Sequence, residues 1–213
     1  MEILRITQII ALIGLLIGLI GILLRLREIF NRPHKGDLSR PRGSARRGIL
    51  YAFTLGMAPW EKESTRQHWL SYLRGIFFHL GIFMALAVFF ASPWLPSLPQ
   101  PLIWLALIVT GLGAVFGFAG IVMRLAGPNE RALSLPDDYF SVMLTSLFIF
   151  LAFISFLQSA WLPVFYLAAA VLFVYVPFSK IRHCVYFFYS KFFFGRNFGH
   201  RGVLGQSKSG YVE

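Results

Sequence analysis

The chain has 213 residues, 57% of them hydrophobic and 14% charged, with a mean hydropathy of +0.67. Soluble domains are about 45–50% apolar and about 25% charged, and the apolar residues here gather into runs near the roughly 20 residues that cross a bilayer. That excludes an ordinary soluble domain, and the formal charge of +11 then reads as a bias between two membrane faces rather than as nucleic-acid binding.

The expected fold is an all-α integral membrane bundle of five transmembrane helices. The first span covers about residues 3–24, within a first segment of 1–26, and Gly14, Gly18 and Gly21 recur at spacings that let another helix come close. Glycine is also simply common in membrane helices, and the sequence leaves both readings open. Arg25-Leu-Arg27 follows the apolar run without a small-residue cleavage site, so no cleavable signal peptide is expected. Residues 27–72 form a basic loop. Within it, residues 49–58 are apolar but too short to span, and residues 60–69 read as a polar helical stretch flanked by Trp60 and Trp69, as a segment at headgroup depth would be.

The remaining spans are expected at about residues 73–91, 102–125, 139–157 and 164–178. A proline-rich, uncharged turn follows the second, and Gly111, Gly113, Gly117 and Gly120 smooth one face of the third. Pro136-Asp-Asp138 is a helix-start signal ahead of the fourth. Residues 179–213 make an aromatic and basic tail whose end is expected to fray. The loop from Arg25 to Arg74 carries eleven Lys and Arg, the loop after span three carries Arg124 and Arg131, and the tail carries six. The opposite side has only Arg5. The positive-inside rule therefore places the N-terminus outside and the C-terminus in the cytoplasm, and the expected location is the inner membrane of a prokaryote, crossed several times.

Five histidines remain to be sorted. His34 in the basic loop and His200 in the tail read as solvated or partner-facing. His79 lies about five residues inside span two, and His183 lies about five residues beyond span five. At 1.5 Å rise per residue these positions differ little in depth, and two neutral imidazoles on separate helices can clamp a haem iron axially. For His183 alone, an interfacial side chain reaching the headgroups is the plainer reading. His79 is inside a span, where an ionisable residue is costly and points to function. His68 precedes His79 by eleven residues, so on a continuous helix it would share that face about 16 Å nearer the cytoplasm. It could contact a quinone or a partner, or be an interfacial histidine beside Trp69. Arg74, Lys180 and Arg182 are placed to pair with haem propionates, or only mark the membrane boundary. Cys184 reads as a small helix-packing residue. It is the only cysteine, which excludes an internal disulfide and any cluster of this chain's own.

Phe78-His79-Leu-Gly-Ile82 and Pro177-Phe-Ser-Lys-Ile-Arg-His183 resemble the haem-binding motifs of the nitrate reductase gamma-subunit family of membrane cytochromes b. The resemblance covers about residues 70–190. Pro59-Trp60 with Lys62-Glu63-Ser64 looks closer to its heterodisulfide-reductase-like and sulfate-reducer branch. It implies His79 and His183 as axial ligands of a haem b. The family's two-haem members carry further ligands ten residues after the first histidine and eighteen before the last, where this chain has Phe89 and Phe165. The resemblance thus implies one haem on the cytoplasmic side, with the outer haem's space filled by aromatic rings.

The function expected is a membrane cytochrome b subunit passing electrons between a menaquinone-type quinone and a cytoplasmic iron–sulfur subunit. A haem-free membrane anchor that docks a soluble redox enzyme keeps the same fold. A transporter fits poorly, because spans three and four carry no ionisable residue in their interiors.

Overall fold

A computed structural model describes residues 2–31, 43–61 and 63–198. Among these residues there is no strand, and five helices are long and apolar enough to cross a membrane: Glu2–Phe30, Trp69–Trp94, Gln100–Ala126, Pro136–Leu157 and Ser159–Phe178. The protein is a multi-pass, all-α membrane protein. His34, His200, Lys62 and the expected frayed end at residues 199–213 lie outside the described residues.

The chain divides into two compact units. The first, residues 1–26 and 70–181, contains most of α1 (Glu2–Phe30) and α4 (Trp69–Ala91), with α5 (Gln100–Ala126), α6 (Pro128–Leu133), α7 (Pro136–Leu157) and α8 (Leu162–Tyr175). α7 packs against α5 and α8 and is the most enclosed span, half of it buried, whereas 22% of α1 is buried. The core is aromatic. Phe148 and Phe165 are fully buried and stack at 5.1 Å with 14° between their planes. Phe89 meets Phe173 edge-on at 5.1 Å.

Glycine decides how close the backbones come. A Cβ at Gly14 would lie 2.9 Å from the Ala170 carbonyl oxygen, one at Gly18 would strike the Phe173 carbonyl, and one at Gly21 would meet Pro177 at 2.7 Å. Gly14 and Gly18 are thus contact points with α8 and Gly21 with the turn that follows it, so close approach is the reading that holds. At the α4–α5 crossing a Cβ on Gly81 would fall 2.6 Å from Gly113 Cα. Gly81→Leu is expected to destabilise the bundle by about 1–3 kcal/mol, the usual cost of overpacking. Gly75→Ala, where an added Cβ meets nothing within 4 Å, should be neutral or gain up to about 1 kcal/mol of helix propensity. Detergent-solubilised thermal unfolding reads both.

The first unit also shows where helices begin and end. α7 starts at Pro136, three residues before the expected span, because Asp138 accepts from the Leu135 amide at 2.8 Å and closes the first turn. Residues 128–133 are helical, where a loop was expected. The fifth span bends at its end, α8 giving way to a 3-10 turn at Val176–Phe178 around Pro177, which lacks the amide an α-helix would use.

The second unit comprises residues 27–69 and 182–213. α1 runs six residues past the expected span and closes with the Asn31 amide on the Arg27 carbonyl at 3.0 Å. The apolar stretch expected at residues 49–58 is α2 (Ala45–Phe53), capped by Ser44, and it packs along α9 (His183–Phe198). The aromatic tail is therefore a helix with a partner: Phe53 stacks on Phe188 at 6.2 Å. Between Trp60 and Trp69 the helix is broken. α3 (Glu63–Gln67) ends, His68 forms the turn, and α4 begins at Trp69.

Candidate functional site

His79 stands on α4 with its ring exposed. Its Nδ1 lies 2.7 Å from the carbonyl oxygen of Gly75, one turn back. A carbonyl only accepts, so Nδ1 carries the proton and Nε2 keeps the lone pair in the neutral ring. This bond fixes the orientation of the imidazole, as the hydrogen-bond partner of a metal-ligating histidine does. Gly75 leaves open space on the same face, since a Cβ there would meet nothing within 4 Å. An imidazole held in one orientation beside an open glycine face is of the chemistry that an axial ligand of a flat macrocycle needs.

Arg74 precedes Gly75 and is half-buried. Gly120 of α5 makes room for it: a Cβ there would sit 2.7 Å from Arg74 Nη1. The guanidinium is therefore held against α5, near the membrane boundary that Arg124 also marks, with Arg124 Nη1 donating to Ser134 Oγ at 3.0 Å.

The Asp137–Asp138 pair does more than start a helix. Tyr175 Oη donates to Asp137, the Lys180 amide donates to its other oxygen at 2.9 Å, and Lys180 Nζ pairs with Asp138 at 2.6 Å. The start of α7 is thus tied to the end of α8. Lys180, expected to meet a propionate, is paired with Asp138 here, its side chain half exposed. Asp138→Ala removes the cap and the ion pair together and is expected to cost about 1–2 kcal/mol, most of it from the cap. Thermal unfolding of this variant beside Lys180→Met separates the two losses.

Phe89 and Phe165, where the resemblance would set further ligands, are both buried. Phe89 and Phe165 lie 6.4 Å apart, edge to face, with Phe165 against Phe148 and Phe89 against Tyr166 at 5.3 Å. Tyr166 belongs to a polar group that the histidine reading passed over: its hydroxyl meets Ser92 Oγ and accepts from Gln8 Nε2 at 3.3 Å. A glutamine inside the first apolar run was the available signal.

His183 is the first residue of α9, in the second unit, and is exposed; Arg182 immediately precedes it. Cys184, read as a packing residue, is exposed on α9. Desolvation of its sulfur holds the thiol above its ordinary pKa, so it is protonated at neutral pH rather than a reactive thiolate. His68 is an exposed turn residue, and the continuous helix that would have set it on the face of His79 does not exist. No protein-family model, curated protein or solved structure matches the chain. Function therefore has to be read from the residues themselves.

Proposed function

We propose that the protein is the membrane cytochrome b subunit of a quinone-linked redox complex, holding a single haem b through His79 and His183. The observation that carries this is the His79–Gly75 bond of 2.7 Å, which fixes the orientation of an imidazole inside a membrane span. The resemblance of the two histidine motifs to the nitrate reductase gamma-subunit family supports the pairing, and the buried Phe89 and Phe165 support a count of one.

The haem, when bound, would supply one-electron transfer between two-electron quinol and a one-electron partner. The chain's own residues do the rest. Gly75 orients His79, Arg74 and Arg182 offer cations for propionates, and the rings around Phe89 and Phe165 keep water and a second macrocycle out of the outer half. A single cysteine leaves iron–sulfur chemistry to a cytoplasmic subunit. Without an outer haem, menaquinone-type quinone would react on the cytoplasmic half, near His79 and His183.

A dithionite-reduced minus oxidised spectrum of the purified chain, with haem counted per polypeptide, tests this. A b-type spectrum at one haem per chain is the expected result. Two haems would overturn the count, and a colourless chain would leave a membrane anchor that docks a soluble redox enzyme.

A further inference from the structure

The redox reading makes no use of the space between α2 and α9. The two helices approach so closely that a Cβ at Gly195 would lie 2.6 Å from Ile49 Cα and 2.9 Å from the Gly48 carbonyl oxygen. Beside that crossing is a cavity of about 320 Å³ lined by Gly48, Tyr51, Ala52, Ser190, Lys191 and Phe194, among others. Ligand sites span about 300–1,000 Å³, so it would take one small group. The walls are mixed: Ala52 and Phe194 are apolar, Ser190 carries a hydroxyl, and Lys191 carries an ammonium that lies 5.7 Å from the centre of the Phe187 ring. Tyr51 Oη is turned to Glu61 at 2.6 Å, which gives that carboxylate a donor. A site of this make-up suits an anion with an apolar body.

Two further observations choose among such anions. Fourteen of the twenty Lys and Arg but only five of the nine Asp and Glu fall in the segments of this unit, +9 of the chain's +11. α9 also exposes Phe188, Phe192 and Phe194, and α2 exposes Leu50. Basic charge interleaved with exposed aromatic and aliphatic side chains is the signature of a helix lying in an anionic membrane surface. A small water-soluble phosphate would match the charge but draw nothing from the phenylalanines.

We propose that this cavity seats the headgroup of an anionic phospholipid, with Lys191 and Ser190 on the phosphate and Ala52 and Phe194 against the glycerol and first methylenes. Native mass spectrometry of the full chain in detergent, titrated with phosphatidylglycerol, phosphatidylcholine or sn-glycerol 3-phosphate, tests it. The wild type is expected to retain one phosphatidylglycerol in preference to phosphatidylcholine. Lys191→Gln should weaken that retention about fivefold, the usual worth of one basic residue at an anionic surface, and Lys191→Arg should restore it. Arg66→Gln, which removes the same charge from exposed α3, should change nothing. Ala52→Phe should fill the cavity and abolish retention, with helical content by circular dichroism equal to wild type in every variant. Equal retention of the two lipids would overturn the proposal. Equal losses in Lys191→Gln and Arg66→Gln would reduce it to diffuse attraction and overturn the site. Displacement of the lipid by equimolar glycerol phosphate would assign the cavity to a soluble phosphate instead.

Discussion

Purified His79→Ala is expected to be colourless, and His183→Ala likewise, with helical content and membrane insertion unchanged. Outer partners of a metal ligand are already worth about 10–100-fold in affinity, so loss of an axial ligand should lower haem occupancy by more than about tenfold. The structure supplies a companion variant that leaves both histidines in place. Gly75→Leu puts bulk into the open face beside the ring without touching the His79–Gly75 backbone bond. If that face receives the haem, this variant should lose colour while unfolding at the wild-type temperature. A Gly75→Leu protein with full haem would show that the macrocycle lies elsewhere, and a His79→Ala protein with an unaltered spectrum would remove His79 from the site.

Phe165→Ala should be the most damaging single truncation in the first unit. The ring is fully buried, stacked on Phe148 and in contact with Phe89 and Tyr166, so deleting it leaves a cavity that its helices cannot close. Phe→Ala changes in such cores cost about 3–5 kcal/mol. A loss below about 1 kcal/mol, read from denaturant or thermal unfolding in one detergent, would mean that these rings are not a packed core. Phe165→His tests the same space chemically. It places an imidazole among the rings of Phe148, Phe89 and Tyr166, at a cost of about 1–3 kcal/mol, and should bring no haem with it. A second haem on Phe89→His with Phe165→His would overturn the reading that packing has replaced the outer site.

The histidines were legible for different reasons. His79 stands out because an imidazole inside an apolar run is costly, but nothing in the sequence shows that its proton goes to Gly75. That bond exists because i and i−4 meet on one helix face. Lys180 looked like a propionate partner from its place at the boundary. Its ion pair with Asp138 spans 42 residues of sequence, and only the packing of α7 beside α8 could reveal it. His68 looked aligned with His79 on the assumption of an unbroken helix, and a one-residue turn before Trp69 breaks that helix.

The sequence by itself determined that this is a five-span, all-α membrane protein, because hydropathy and span length are local properties that the bilayer reads segment by segment. Only the resemblance drew attention to Phe89 and Phe165, at positions where the family's two-haem members carry ligands. Tertiary structure decided what those residues became: a buried stack whose members come from α4, α7 and α8. It likewise chose Ala170 and Phe173 as the backbone that Gly14 and Gly18 meet, and it made a packed helix of the aromatic tail. Contacts between distant segments depend on which side chains fit together, and no run of neighbours along the chain encodes that fit.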